Sequence, residues 1–502
     1  MRRRRLFVYP CGLILSIVTL SFFNLARASD QIVVGSKIFT ESYILAEIAA
    51  QVMEKGPNTP VTRKLGMGST GLLFESLKSG AIDIYPDYSG TLSESILKRP
   101  ELKSLEEIRE GLAPLGLTIS DSLGFNDTYA LAVKDEFAEK NNLHTISDLR
   151  RIESQVHGAF SYEFMDRQDG YSGMVACYQL HFVPSRVSRM EHSLVYQAID
   201  KNAVDLIEVY STDANISRFK LRVLNDDQHY FPVYQAVWVA RKAFVEAHPD
   251  QWKSLLKVQN SIDAKTMVAM NAAADFKKEA FPAIAARFLG SEPSSAETIG
   301  HQIAERTKEH LWLVGVSLAF SVLIGIPLGI MAARFNAAGQ FILLFSALVQ
   351  TIPALALLCF LIPTFGVGTK PALVALCLYS LLPVVLNTFT GIRGIDPKHI
   401  ENAKAFGLSQ IQILRHVVLP LSSPTILAGV KNGAIVSIGT ATLAALVGAG
   451  GYGALIITGL SLNDIPLILA GAVPAAVMAL LAYLLFALVN IVLISKGLRH
   501  RT

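Results

Sequence analysis

The chain has 502 residues, of which 51% are hydrophobic and 17% charged, with a formal net charge of +4. That length suits two or three domains, and a charged share well under the roughly 25% of a soluble domain excludes an ordinary cytosolic enzyme. The total hides a split: residues 301–502 carry 12 Lys and Arg against 5 Asp and Glu, residues 29–300 carry 28 against 36, and five Arg lie in the first 28. With no basic cluster outside the N-terminus, nucleic acid is not an expected partner.

Arg2 to Arg5 precede an apolar run, Leu6 to Leu25, and Ala26-Arg27-Ala28 forms a small-x-small pattern before Ser29. Residues 1–28 read as a secretory signal, and a run of about 20 residues is also long enough for an uncleaved anchor. On either reading the following residues are exported. Of the four cysteines, Cys177 stands alone in the exported region, which forms no internal disulfide. Cys11, Cys359 and Cys377 lie in apolar segments and show no zinc spacing.

Residues 29–300 carry 64 charges in 272 residues and are soluble in character. Gln31–Gly35, Ala81–Tyr85, Tyr129–Val133, Val204–Val209 and Ala236–Val239 read as strands, and Tyr43–Lys55 and Gly71–Ser79 as helices. This alternation predicts an α/β domain with parallel sheets, long enough for two lobes. The histidines His144, His157, His181, His192 and His229 show no pairing or metal spacing with the carboxylates, so neither catalysis nor a metal is expected.

Residues 301–502 contain apolar runs at Leu311–Ala333, Phe341–Phe365, Pro371–Ile392, Pro424–Val447 and Ile465–Ile494. Each reaches the roughly 20 residues that span a bilayer, which predicts an all-α polytopic membrane domain. The glycine-rich stretch 448–453, with Ala454–Leu462 after it, reads as a re-entrant or partial span, so the count is five or six. With residue 310 outside, Arg334, Arg393, Lys398, Lys404, Arg415, Lys496, Arg499 and Arg501 fall inside and only Lys370 outside. This positive-inside bias orients the chain in a bacterial inner membrane with the exported domain outside and the C-terminus cytoplasmic. No G-x-x-x-x-G-K-[ST] phosphate loop occurs in the sequence.

The inside loop about 396–420 contains Glu401-Asn402-Ala403-Lys404-Ala405-Phe406-Gly407 and ends in Val418-Leu419-Pro420. It resembles the cytoplasmic EAA loop of ABC-importer permeases, with Asn402 where that family usually has Ala. The resemblance implies a coupling helix carried by Glu401, Ala403, Gly407 and Pro420 that docks on a separate ATPase subunit. ATP would bind that subunit, with no cofactor in this chain, and two permease halves imply a homodimer surrounded by lipid.

Within residues 31–290, several motifs occur in order. They are Gly35-Ser36-Lys37-Ile38-Phe39-Thr40-Glu41, Asp83 to Thr91, Gly124 to Tyr129, Asp166 to Tyr171, Val209 to Asp213, and Asp226-Asp227 followed by Tyr230 to Tyr234. Together they resemble the glycine betaine/choline/carnitine substrate-binding proteins of osmoprotectant ABC importers. Family members often have Glu where this chain has Asp87, Thr at Ser89, and Asn at Asp127. The resemblance implies a type II periplasmic-binding-protein-like clamshell that closes on a small-molecule ligand. Tyr88, Tyr129, Tyr210 and Tyr234 would cage a quaternary ammonium, Asp127 would approach its methyl groups, and Lys37, Thr91 and Arg167 would hold a carboxylate.

The chemistry agrees with those roles. A quaternary ammonium has no N–H to donate and is held by aromatic faces, at about 0.5–2 kcal/mol each when desolvated, while Arg offers a carboxylate a fork and Lys a point charge. Tyr230 is an alternative to Tyr234, and Arg167 has Asp166 and Asp169 as alternative partners. Glu41 is expected as a first-turn helix residue after an N-cap at Thr40, and Phe125 as lobe core. The expected function is the fused binding and permease subunit of an importer for a zwitterion such as glycine betaine, carnitine or proline betaine. Choline and ergothioneine are the alternative ligands. A ligand-sensing receptor of the same topology is the alternative class, disfavoured by five spans and the EAA-like loop.

Overall fold

The computed structural model describes residues 31–56, 60–291, 299–462 and 464–494. The signal or anchor reading of residues 1–28, and the charges at Lys496, Arg499 and Arg501, lie outside the described residues. The chain divides into two compact units, one comprising Asp30–Ala296 with the short segment Leu460–Asp464, the other the remaining described residues.

Among the described residues the first unit has ten strands: β1 Ile32–Gly35, β2 Val61–Lys64, β3 Ile84–Tyr88, β4 Leu117–Ile119, β5 Tyr129–Lys134, β6 Gly158–Ser161, β7 Val187–Met190, β8 Leu206–Tyr210, β9 Leu221–Leu224 and β10 Ala236–Arg241. They form two five-stranded sheets, in the orders β2-β1-β3-β10-β4 and β7-β6-β8-β5-β9, one for each lobe. Each sheet is mixed rather than parallel throughout. β1 runs parallel to β2 and β3, and β6 to β7 and β8, while β10 and β5 are antiparallel to both of their neighbours. The reversed strands are the first that the chain forms after each crossing between lobes, after Ile119 and after Leu224.

The strand expected at Ala81–Tyr85 lies three residues later. The amides of Ala81 and Ile82 return to the Ser76 carbonyl and close the preceding helix, so extended backbone begins beyond them. β3 then accommodates Pro86, opposite Trp238, because it meets β1 only at the Val34–Ile84 pair and needs no N–H on that side afterwards. Helix Thr40–Glu54 buries thirteen of its fifteen residues. Its N-cap is Phe39 rather than Thr40, because the Thr40 hydroxyl instead donates to Asp275, at 2.6 Å.

In the second unit, Ile299–Arg334, Thr369–Arg393, Gln410–Thr440 and Ile465–Val492 are long and apolar enough to cross a membrane. The run Phe341–Phe365, expected as one span, is two helices, Asn336–Thr351 and Ala354–Phe365, bent by 101°. The bend falls at Ile352-Pro353, where Pro353 lacks an N–H and holds the preceding residue extended (ψ 124°). Counting the bent pair as one span gives five. The run Pro424–Val447 is also corrected: its helix ends at Thr440, and a tight turn, Leu443–Val447, follows. Tyr452–Ser461 is a short apolar helix in the stretch read as a partial span. Buried hydroxyls join the long helices: Ser380 and Ser437 meet at 2.5 Å, and Ser321 donates to the Cys377 carbonyl at 2.8 Å.

Candidate functional site

The site is assembled where the two crossings between lobes run side by side. Asn126 bridges Gln235, its side-chain oxygen accepts from the Tyr234 amide at 2.6 Å, and the Asp127 amide donates to the Tyr234 carbonyl at 3.0 Å. Ser89 stitches the end of β3 to the same segment, donating to the Val233 carbonyl at 2.9 Å and accepting from the Gln235 amide at 3.0 Å. Tyr88 from one lobe, Tyr129 from the other and Tyr234 from the returning crossing are thereby held close to one another.

The four predicted tyrosines form a ring cluster with Phe39. Tyr129 lies 5.2 Å from Tyr210 and 5.7 Å from Tyr234, the latter edge-on at 87°. Phe39 lies 6.4 Å from Tyr88 and 6.2 Å from Tyr210, closing the chain of rings. The Tyr230 ring packs on Phe231, and its hydroxyl donates to the Gln168 carbonyl at 3.1 Å. Of the two alternatives, Tyr234 is therefore the one that joins the cluster. Phe39 was not singled out from the sequence; an aromatic residue directly before a buried helix was its only signal.

The predicted cations are present but already engaged. Lys37 is buried, pairs with Asp87 at 2.6 Å and lies 5.7 Å from the Tyr88 ring centre. The Arg167 guanidinium lies over both Tyr129, at 5.6 Å, and Tyr234, at 5.8 Å. Its Nε donates to Asp169 at 2.8 Å, and a second nitrogen bonds the other oxygen of the same carboxylate. Asp169 also accepts from the Tyr234 hydroxyl, while Asp166 pairs with Arg189 instead. Thr91 is buried just after Tyr88, and no polar contact of the cluster reaches its side chain among the described residues.

Two buried carboxylates stand beside the rings. Asp127 accepts from the Thr212 amide at 3.1 Å, and burial pushes its carboxyl well above the usual range. Glu41 is more than the expected first-turn helix residue. It is buried at the centre of the site, accepting from the Tyr88 hydroxyl at 2.5 Å, from Thr212 at 2.6 Å and from Asn271 at 3.0 Å. It thus ties the lobe carrying Tyr88 to the loop that follows β8 in the other lobe. Burial pushes its carboxyl up to about 7, against the lowering effect of those hydrogen bonds. A carboxylate in the first turn of a helix otherwise buried all round was the sequence signal for this role.

His192 also departs from expectation, since its ring is paired on both sides. Nε2 lies 3.2 Å from Asp213 and Nδ1 3.1 Å from Glu208, with the Tyr210 ring 4.4 Å away. Burial alone would lower its pKa, but Asp213 and then Glu208 outweigh that and raise it to about 10. Among the described residues, no group of His, Cys, Asp and Glu is arranged to hold a metal.

In the second unit, residues 396–420 form an elbow. Asp396 caps helix Pro397–Ala405 by accepting from the Lys398 amide at 2.9 Å. Ala403 is buried against Ile413 and Val418, Glu401 and Pro420 are exposed, and Gly407 turns the chain with φ 79°. Phe406 and Ile411 stand out, 85% and 78% exposed.

A two-lobed α/β domain with an aromatic cluster at its hinge, on the same chain as a bundle of apolar helices, defines a solute-binding domain joined to a permease. Comparison with known proteins gives the family. Residues 30–291 match the substrate binding domain of ABC-type glycine betaine transport system, and residues 325–495 match the binding-protein-dependent transport system inner membrane component. The chain belongs to this ABC transport family as a fused substrate-binding and permease subunit. It is a multi-pass inner-membrane transport component rather than an enzyme, of a kind that works with an ATPase and a small-molecule ligand.

It is 37% identical over 203 residues to the glycine betaine/carnitine/choline transport system permease protein OpuCB of Bacillus subtilis strain 168, covering 40% of this chain and 94% of that one. It is 32% identical over 267 residues to the ergothioneine transport permease/ergothioneine binding protein EgtU of Helicobacter pylori strain G27, covering 51% and 47%. Among solved structures, a glycine betaine/carnitine/choline ABC transporter crystal structure aligns at 29% identity and a TM-score of 0.45, covering 52% of this chain and 97% of that one.

Proposed function

We propose that the clamshell binds a small quaternary-ammonium compound outside the cell and delivers it to the permease of the same chain. The ligand class comprises glycine betaine, carnitine, proline betaine, choline and ergothioneine. Tyr88, Tyr129, Tyr210 and Tyr234 supply the aromatic faces, with Asp127 beside them, and Lys37, Thr91 and Arg167 serve a ligand carboxylate. The observation that carries this reading is that Tyr210, Tyr129 and Tyr234 meet at centroid spacings of 5.2 and 5.7 Å and Phe39 links Tyr88 to them at 6.4 and 6.2 Å. Rings so close, backed by buried carboxylates, suit a cation that cannot donate hydrogen bonds.

Two copies of the chain pair through their permease domains, and each elbow, with Glu401, Ala403, Gly407 and Pro420, engages an ATPase. The exposed Phe406 and Ile411 support that docking role, and the positive-inside charges support a cytoplasmic elbow. Tethering both binding domains raises their effective concentration at the permease to roughly millimolar. Calorimetry on the full chain in lipid nanodiscs tests the ligand class: heat with at least one of glycine betaine, carnitine and choline is expected. No heat with any trimethylammonium compound would overturn the reading.

A further inference from the structure

Charge is distributed unevenly around the ring cluster. Its two cations, Lys37 and Arg167, each hold a carboxylate of their own, Asp87 and Asp169. Its two other buried carboxylates, Glu41 and Asp127, line the cleft beside Phe39 and Tyr210, and neither has a Lys, Arg or His partner among the described residues. All of Glu41's donors are neutral: Tyr88, Thr212 and Asn271.

The cleft's other cations, Lys201, Arg218 and Lys278, make no contact with Glu41 or Asp127 among the described residues: Arg218 lies over the Phe219 and Phe276 rings and Lys278 donates to the Leu462 carbonyl. The crossing segment contributes Asp127. The loop after β8 contributes Asp213, which is bound by His192, Tyr196 and the Tyr210 amide, and His192 also holds Glu208. Helix Ala264–Asp275 contributes Asn271 and Asp275, the latter bound by Thr40. β3 contributes Tyr88, and Asp87 with its Lys37.

A buried charge without a counter-ion is strongly unfavourable. A ligand with net positive charge supplies the counter-ion. A zwitterion brings an ammonium and a carboxylate together and leaves the site's surplus negative charge as it was. Relief must then come from a proton taken up by the site.

We infer that Glu41 selects the ligand by charge: ionised, it is the counter-ion of a quaternary ammonium ligand bearing net positive charge, and it takes one proton from solvent when a net-neutral zwitterion binds. The inference rests on the quaternary-ammonium reading above. Glu41 suits this role better than Asp127. Asp127 accepts at 3.1 Å from the Thr212 amide, which cannot reverse, and only distantly, at 3.5 Å, from the Ser211 hydroxyl, whereas Tyr88 and Thr212 meet Glu41 at 2.5 and 2.6 Å through hydroxyls, which donate or accept as required. Asn271, already in contact with Glu41, carries a buried Oδ1 with no hydrogen-bond partner. A turn of that amide would present the acceptor that a new Glu41 O–H needs. Burial that raises Glu41 to about 7 makes the proton accessible near neutral pH.

The test is calorimetry of the full chain in nanodiscs at pH 6 and pH 8, with choline and glycine betaine, in two buffers of different ionisation enthalpy. Choline is expected to bind about tenfold more tightly at pH 8 than at pH 6, releasing protons at pH 6, and glycine betaine about tenfold more weakly at pH 8, with proton uptake. Glu41→Gln should flatten both profiles and favour glycine betaine. Parallel profiles for the two ligands, no buffer-dependent heat, or an undiminished divergence in Glu41→Gln would each overturn the inference and leave the ligand class standing. If only one ligand binds, the sign of its own pH slope decides. With heat from neither, carnitine is titrated in the same way and the sign of its pH slope decides; no heat from any trimethylammonium compound would overturn the ligand class and this inference together.

Discussion

Tyr234 occupies the space that a side chain on Gly90 would take: a Cβ at residue 90 would stand 2.6 Å from two of its ring carbons. The Asp87-Tyr88-Ser89-Gly90-Thr91 motif therefore does two things, presenting Tyr88 and leaving bare backbone for Tyr234 to lie against. Gly90→Ala should force the ring aside, an overpacking cost of about 1–3 kcal/mol. The expected result is a melting temperature lower by a few degrees and ligand affinity weaker by about tenfold or more, measured by thermal unfolding and calorimetry on the full chain. Unchanged affinity would remove Tyr234 from the site.

Tyr210 lies between Tyr129 and Phe39 and is backed by the His192 ring. If its face holds the ammonium, Tyr210→Ala should weaken binding by at least about tenfold, the equivalent of one desolvated cation–π contact. Tyr210→Phe keeps the face and should stay within about threefold on the same grounds. Equal losses in both variants would place the contribution in the hydroxyl.

His192 makes the binding domain's stability depend on pH. Its pKa is raised from 6.5 to about 10 in the fold, mainly by Asp213 against the opposing effect of burial. The folded state therefore holds a proton that the unfolded state releases. The stabilisation is fully present below about 6.5 and is lost as pH rises through about 10. Thermal midpoints of the full chain measured between pH 6 and pH 10 should fall with rising pH. His192→Gln should flatten that fall and lower the midpoint at pH 6. An equally steep fall in the variant would assign the pH dependence to other groups.

Gly407 turns the elbow at φ 79°, in the left-handed region, with no atom within 4 Å of where a Cβ would point. Gly407→Val therefore acts through backbone strain of about 1–2 kcal/mol rather than through a clash. Uptake in cells or proteoliposomes should fall by an order of magnitude or more, while ligand binding by the purified chain stays unchanged. The exposed Phe406 offers a second route, since Phe406→Asp should uncouple transport without altering the turn. Loss of binding together with uptake would count against a coupling role for the elbow.

Much of this protein was legible along the chain because its main signals are local. Apolar runs are read within windows of about 20 residues. The tyrosine motifs sit beside turn residues and strand ends, so the cluster could be named before its geometry was known. One failure was a local conflict and another came from a distant partner. Pro353 broke an apolar run that hydropathy alone joined, and Thr40 gave up the cap because its hydroxyl reached Asp275, far away in sequence.

Charge at the site was a different matter. From the sequence, Lys37 and Arg167 stood as cations suited to a carboxylate, Arg167 with Asp166 and Asp169 as alternative partners, Glu41 as a helix-end acid and His192 as unpaired. Which charged group meets a counter-ion and which only neutral donors depends on distances between residues tens to hundreds of positions apart, such as Lys37 with Asp87 and Glu41 with Thr212 and Asn271. Composition and periodicity contain no such distances. Once the chain folds, burial removes the water that would have screened these groups, and each carboxylate's energy then depends on its immediate partners. Fold class, the apolar helices and the identity of the aromatic residues follow from local order along the chain. The surplus negative charge beside the cage, and with it the sign of the ligand's preferred charge, was decided only when the two lobes came together around Glu41.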